Sequence, residues 1–357
     1  MTTDGTYAKR GVFLVTAAMV ALAVVYVCLL LARGGYNDCS LEVIAIVSLA
    51  ALLVLRVLDR VEVHLTVPVV CLFLVGCFSL IGALANGMSL TMLTMACGWF
   101  ALAGIALLVG ACDAELVGSQ LTEMLCMLGV VTAMLGAIAC AGLFDIELLV
   151  RNDRLEIAFQ YANATGIWFA AISALCACSN SKQLNSVTFM PIVALLLTRS
   201  VGSILVFALA VIALAVAFCV HKAPAMLCML ACQLWIGLVL FGLQLLLAPL
   251  ALVAPIACAA LFIALTRDDS LLERLPLRRH SGIGIAAIAL FFVVLGAMAL
   301  LVFPDRIQSA SQTLLKRYVQ IADALAVLGE NLLFGIGPDS WRELHPFVQS
   351  AQYSVAV

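Results

Sequence analysis

The strongest concentration of polar and charged side chains lies at residues 151–166, RNDRLEIAFQYANATG, which hold two arginines, two acids and three amides. A guanidinium group is planar and permanently charged, and its parallel N–H donors match two phosphate oxygens. Arg151 and Arg154 are therefore typical ligands for a diphosphate. Asn163 stands where it would cap the apolar helix that follows, whose positive dipole end would also favour an anion.

A second interpretation of this segment involves no ligand. Arg151 and Arg154 could pair with Asp153 and Glu156, or reach lipid phosphates at the membrane surface. At the outer headgroup level, Arg154 would avoid the roughly 2.5–3.5 kcal/mol cost of a charge at mid-membrane. The residues alone leave both interpretations open.

Composition places these charges in an apolar chain. Of its residues, 65% are hydrophobic and 11% charged, with a mean hydropathy of +1.20, which excludes a water-soluble globule. We expect an all-α polytopic bundle of about eleven spans, since each crossing takes about 20 apolar residues. The net charge of −2 gives no reason to expect a nucleic-acid partner. The fourteen cysteines lack metal-ligand spacing, and neither metal nor cofactor is expected.

The order of apolar runs predicts which side of the membrane each loop faces. Residues 11–32, 41–55, 66–85, 90–111 and 119–143 predict five crossings from a cytoplasmic N-terminus, so the fifth delivers the chain outside. The runs at 187–197 and 250–265 are the least certain, and a re-entrant segment at either would reverse every later side. The count follows the positive-inside rule, which places these residues in cytoplasmic loops: Arg56, Arg60, Lys182, Lys222, Arg267, Arg274, Arg278 and Arg279.

Other basic residues fall on the predicted external side, where topology gives no reason for them. We therefore expect them to serve chemistry. They are Arg33, Arg151, Arg154, Arg199, Arg306, Lys316, Arg317 and Arg342.

Arg154, Phe159 and Asn163, followed by small residues and an aromatic-rich span, resemble the signature of the O-antigen ligase and O-antigen polymerase superfamily. In that family an external loop of the form R-L-x-G-x-F-x-x-x-N enters a helix. Residues 195–205, LLLTRSVGSIL, resemble its helix-end motif T-x-S-R-G. Here Val201 fills the usual arginine position, and Arg199 lies two residues earlier.

A third similarity lies at residues 317–341, where a helix is followed by G-x-G-P and an aromatic residue, as in the family's large external loop. Gly335, Gly337 and Pro338 predict a tight turn. The apolar stripe of the preceding helix, at residues 313–328, could lie along the membrane surface or cover a cavity, or it could pack against the protein. Family members continue into further helices, so we expect this chain to be a fragment or a truncated product.

The resemblance implies a multi-pass glycosyltransferase of the cytoplasmic membrane whose active face is external. It would move a glycan from undecaprenyl diphosphate to another glycan or a lipid-linked sugar, without a nucleotide or a necessary metal. The predicted division is a bundle at 1–303 and the start of an external loop at 304–357. The candidate catalytic residues are Arg154, Arg199 and His345, and the candidate substrate-binding residues are Arg151, Gln160, Asn163, Arg317, Asp339 and Trp341.

The alternative function is a transporter or a flippase for lipid-linked glycans. Glu123, Gln233 and Gln244 would then mark a polar path through the membrane. A membrane scaffold without chemistry is a further alternative. His345 is the one histidine on the predicted external side, although the family's important histidine comes later in this loop.

Overall fold

The computed structural model describes residues 65–110, 114–142, 149–179, 181–247, 250–267, 281–302, 304–333, 335–338 and 340–349, with residues 24, 47, 50 and 53. This part of the chain is mostly helical, as predicted for an all-α protein. Its helices are α1 (Val67–Ala85), α2 (Leu90–Gly110), α3 (Ala114–Cys140), α4 (Ala162–Cys178), α5 (Lys182–Ser186), α6 (Phe189–Leu197), α7 (Val201–Val220), α8 (Pro224–Leu246), α9 (Leu250–Arg267), α10 (Ser281–Val302), α11 (Pro304–Glu330) and α12 (Trp341–Val348).

Within these ranges, six helices are long and apolar enough to cross a membrane: α1, α2, α3, α7, α8 and α10. Three of them correspond to the predicted runs 66–85, 90–111 and 119–143. The runs 11–32 and 41–55 lie outside the described residues. The described helices therefore indicate a membrane protein, and the total of about eleven spans stays a prediction.

The uncertain run at 187–197 forms α6, which has only nine residues. Such a helix is about 14 Å long, roughly half of the hydrocarbon thickness. All nine residues are buried. The uncertain run at 250–265 lies within α9, which contains Pro255.

The chain divides into two compact units, Met1–Gln120 with Gln308–Val357, and Leu121–Ile307. In the first unit α1 packs against α2. The amide of Asn86 in their connecting turn contacts the carbonyl oxygens of Gly82 (2.7 Å) and Gly335 (3.5 Å). The predicted turn at 335–338 is thus seated on the α1–α2 turn, and its two glycines have positive φ as expected (60° and 92°).

Helix α11 turns its two faces to different surroundings. Val319 and Asp323 are buried on one face. The predicted apolar stripe is exposed, while the helix packs against the protein through the opposite face. Its exposed members include Leu314, Leu315, Tyr318, Ile321, Leu325 and Leu328.

In the second unit, α6 forms the centre of the core and packs against α4, α7 and α8. The break between α5 and α6 lies in apolar surroundings, where free backbone groups are costly. The side chain of Gln233 in α8 bridges this break. Its Oε1 accepts a hydrogen bond from the Phe189 N–H (3.0 Å), and its Nε2 donates to the Ser186 carbonyl (3.2 Å).

We predict that Gln233→Leu destabilises the protein by about 1–3 kcal/mol, because it removes two buried hydrogen bonds to the backbone, each of which contributes about 0.5–1.5 kcal/mol. Thermal unfolding of the detergent-solubilised protein measures this effect. Gln183→Leu, at an exposed position of α5, is the matched control and should change the midpoint little. Equal midpoints for both variants would show that the break does not depend on Gln233.

Candidate functional site

The segment that carries Arg151 and Arg154 folds as a β-hairpin whose two short strands are joined by a two-residue turn. Strand β1 (Val150–Arg151) pairs antiparallel with β2 (Arg154–Leu155), so that the two arginines face each other across the ladder. Asn152 and Asp153 have φ of 51° and 57°, which is typical of a type I′ turn. The Asn152-Asp153 pair is a sequence signal for such a turn, but the hairpin was not predicted.

Leu155 fixes this hairpin to the helices. Its side chain is completely buried. A Cβ placed on Gly136 of α3 would lie 2.8 Å from the Leu155 Cδ2 atom, so the absence of a side chain there lets the hairpin approach α3. Thr165 of α4 donates a hydrogen bond to the Glu156 carbonyl. The hairpin is therefore held by both α3 and α4.

Arg154 lies against the C-terminal end of α6. Its Nε donates a hydrogen bond to the carbonyl oxygen of Thr198 (3.0 Å), which is the C-cap residue of that helix and is fully buried. Carbonyls at a helix C-terminus lack intrahelical partners and carry partial negative charge, which favours a cation. Arg154 thus satisfies a helix end in addition to supplying charge.

Arg199 directly follows Thr198, whose carbonyl oxygen accepts the hydrogen bond from Arg154. It is half-buried and has a φ of 48°. Its N–H donates to the Leu196 carbonyl (3.0 Å), as in helices that end with a left-handed residue. Glycine or asparagine usually fills this position, since other L-residues are disfavoured there by roughly 1–2 kcal/mol.

Asn163 connects the N-terminal ends of two helices. Its Oδ1 accepts a hydrogen bond from Ser200 Oγ (2.6 Å), its carbonyl accepts one from Ser203 Oγ (2.9 Å), and its Nδ2 donates to the Tyr161 hydroxyl (2.8 Å). Ser200 is also the N-cap of α7. The predicted capping role of Asn163 is wrong, because α4 begins at Ala162 with Tyr161 as N-cap, and the amide is used between helices instead.

Gly166 allows this junction to close. A Cβ at this position would lie 2.4 Å from Ser203 Cβ and 3.1 Å from Thr198 Oγ1. Ser203 was missed in the sequence, since a serine one turn into an apolar helix carries no pattern of its own. The C-terminal end of α6 and the N-terminal ends of α4 and α7 therefore meet around Arg154, Asn163 and Arg199.

Two further predicted residues lie on the same segment. Arg151 is exposed on the hairpin. Gln160 is half-buried, has a φ of 49°, and ends the short 3₁₀ helix Ile157–Phe159. The segment that joins the hairpin to α4 is thus tightly folded.

The acids of this segment differ in their surroundings. Asp153 is exposed in the turn. Burial raises the pKa of the Glu156 carboxyl above its ordinary value of 4.5, and the positive charges of Arg154 and Arg151 act in the opposite direction without reversing it. The environment of Glu156 therefore favours its neutral form, which is the opposite of what an ion pair would do.

The remaining predicted site residues belong to the first unit. His345 Nε2 lies 4.0 Å from Asp323 Oδ2, and the His345 ring lies 4.9 Å from the Trp341 ring. Arg317 is exposed. Asp339 lies outside the described residues. Asp323 was not predicted, because a single acid opposite an apolar stripe is typical of a solvated helix face.

Among the described residues, no group of three His, Cys, Asp or Glu side chains could hold a metal ion. No family model matches the sequence, and neither the curated proteins nor the solved structures contain a match.

We predict that Gly166→Ala destabilises the protein by about 1–3 kcal/mol, because the added methyl group overpacks a closed helix junction. Thermal unfolding in detergent measures the change. Gly202→Ala is the control, since no atom lies within 4 Å of a Cβ at that helical position, and alanine there should stabilise by up to about 1 kcal/mol. Similar midpoints for the two variants would contradict the close approach at Gly166.

We predict that Glu156→Gln raises the unfolding temperature at pH 7, and that this gain shrinks as the pH falls towards 4.5. A carboxyl whose pKa is raised on folding contributes most stability below its unfolded pKa and loses it as the pH rises through its folded pKa. Melting curves of both proteins from pH 4 to 8 measure the difference. A variant less stable than the parent at pH 7 would indicate that ion pairing with the arginines dominates.

Proposed function

We propose that this chain is a membrane glycosyltransferase similar to O-antigen ligases and polymerases. In this proposal it moves a glycan from undecaprenyl diphosphate to a glycan or lipid-linked sugar at the external face of the cytoplasmic membrane. The observation that carries the proposal is the meeting of Arg154 and Arg199 at one end of α6, beside Asn163. These residues come from two of the three segments that resemble the family.

The proposed reaction needs cationic donors at a diphosphate. The acceptor hydroxyl attacks the anomeric carbon, the bond from that carbon to the diphosphate oxygen breaks, and undecaprenyl diphosphate leaves with the bonding electrons. Arg154 and Arg199, with Arg151 on the exposed hairpin, would bind the diphosphate and stabilise its growing negative charge.

A general base must accept the proton of the acceptor hydroxyl. His345 is the predicted candidate, and Asp323 lies beside it in the first unit. Gln160, Asn163, Asp339 and Trp341 stay candidates for sugar or loop contacts.

The backbone at Arg199 supports a role for its side chain. A left-handed residue after a helix is usually glycine, and arginine there carries a conformational cost. Such costs persist where the side chain serves another purpose. The Arg199 side chain is therefore a candidate for phosphate binding.

The contacts of the polar residues favour this proposal over transport. Gln233 bridges the α5–α6 break, and Gln244 Nε2 donates to the Ala137 carbonyl of α3 (2.8 Å). Both amides therefore join helices. Two of the three residues on which the transport hypothesis depended thus have a structural explanation.

We predict that Arg199→Asn lowers the affinity for undecaprenyl diphosphate about ten- to hundredfold, because a hydrogen bond to a charged group contributes about 1.5–3 kcal/mol. Asparagine tolerates the left-handed backbone, so the unfolding temperature should change little. Binding of radiolabelled undecaprenyl diphosphate to the purified protein measures the effect.

Lys222→Asn is the matched control for this experiment. Lys222 also follows the end of a helix and has a φ of 51°, and the same cationic charge is removed on the predicted cytoplasmic side. Its affinity for undecaprenyl diphosphate should stay unchanged. Equal affinities of Arg199→Asn and the parent protein would exclude Arg199 from the site.

We predict that Arg154→Ala abolishes glycan transfer while the protein still inserts into the membrane. It should also lower the unfolding temperature, because the Thr198 carbonyl loses its donor. Polysaccharide from cells that express the variant, separated on a gel and compared with the amount of protein in the membrane, measures both effects. Normal polymer would remove the central role proposed for Arg154.

A further inference from the structure

Helix α11 presents an apolar stripe that the described protein leaves uncovered. We use this name for Leu314, Leu315, Tyr318, Ile321, Leu325 and Leu328, whose exposed fractions range from 47% to 71%. The helix is nevertheless packed, since Val319 and Asp323 on its other side are buried. The stripe therefore belongs to an ordered helix with one face satisfied by protein and one face open.

This helix is amphipathic and too polar to cross a membrane. Its 27 residues include six charged ones, and it is absent from the membrane-spanning candidates of the described chain. At 1.5 Å per residue it extends about 40 Å. A helix with a charged face and an apolar face, and with low overall hydrophobicity, is typical of helices that lie in the plane of the interface.

The position of α11 in the chain brings its start to the membrane surface. Helix α10 is one of the membrane-spanning candidates and ends at Val302, and α11 begins at Pro304. Proline is favoured in the first turn of a helix, where its missing N–H costs nothing. A single intervening residue leaves α11 no length in which to depart from the level where α10 leaves the hydrocarbon.

Residues beside the stripe suit the same environment. Arg317 is exposed and lies on the flank of the stripe by helical position, where its stem can follow the acyl boundary and its charge can reach lipid phosphates. Tyr318 has an apolar ring with a polar tip, which suits the headgroup level. Leu332 and Leu333, which follow the helix after Asn331, are also apolar and are 76% and 78% exposed.

We propose that the apolar stripe of α11 is inserted into the interfacial layer of the bilayer, with Arg317 bound to phospholipid phosphates. The occupant of this surface is lipid, and neither a second copy of the chain nor another protein is required. This inference does not rest on the proposed glycosyl transfer. One consequence is that the opposite face of α11, which holds Asp323 next to His345, is fixed at the membrane surface.

Photo-crosslinking of the full chain tests the proposal. The variants Ile321→p-benzoylphenylalanine and Leu325→p-benzoylphenylalanine would be reconstituted in vesicles of phosphatidylethanolamine and phosphatidylglycerol (about 3:1) and irradiated. We expect a mass increase of one phospholipid at either position. Two exposed positions are used so that a folding defect in one variant leaves the other informative.

Gln320→p-benzoylphenylalanine is the matched control. Gln320 is half-buried and adjacent to Ile321, but helical geometry places it on the other side of α11. It should crosslink within the chain and gain no lipid. Adducts of Ile321 and Leu325 with a second copy or with another segment of the chain would overturn the proposal, as would the absence of lipid adducts at both positions.

Discussion

The structure depends on closing both ends of one short buried helix. All nine residues of α6 are buried, so neither end can rely on water for its backbone groups. Gln233 accepts a hydrogen bond from the first N–H, and Arg154 donates one to the C-cap carbonyl. Each contact joins residues 44 positions apart in the chain. A half-length helix is thereby made compatible with an apolar core by one amide and one guanidinium group.

This constraint explains why charge gathers at one end of α6. The helix C-terminus attracts Arg154, the left-handed residue after it is Arg199, and the helix start that follows is capped by Ser200. Asn163 then joins the N-terminal ends of α4 and α7. The residues of the proposed phosphate site therefore also pair with, or directly follow, the ends of helices. Folding and anion binding would draw on the same groups.

The sequence predicted the helical class and the bounds of α1 and α2 well. The runs 66–85 and 90–111 lie within a residue or so of α1 and α2, because hydropathy measures what a lipid-facing helix requires. It could not find the break before α6, since the partner that makes the break tolerable, Gln233, is remote in sequence. The apolar stripe of α11 was visible for the same reason that the spans were. Whether the stripe faces the protein or its surroundings was not predictable, because periodicity does not specify which face of a helix packs against protein.

For the candidate site, the sequence predicted residues but not their contacts. Arg154, Arg199 and Asn163 were recognised by type and by resemblance, and the structure brings them together. The hairpin, the capping role of Ser200 and the use of Asn163 between helices were missed. The contacts of Asn163 with Ser200 and Ser203 join segments that are far apart in the chain, which local patterns do not encode. The hairpin and the Ser200 cap are local, and the Asn152-Asp153 pair and the serine before α7 were signals for them.

The β2 strand has a consequence for insertions and deletions. Successive side chains of a strand point to opposite faces, so Leu155 faces the core while Arg154 faces the C-terminal end of α6. The two-residue turn before them therefore determines which of these two side chains faces the core. A single-residue deletion in that turn would reverse the directions of the two side chains. The Arg154 guanidinium would then face the core, and the Leu155 side chain would face the C-terminal end of α6. Length at this point of the chain should consequently vary far less than residue identity.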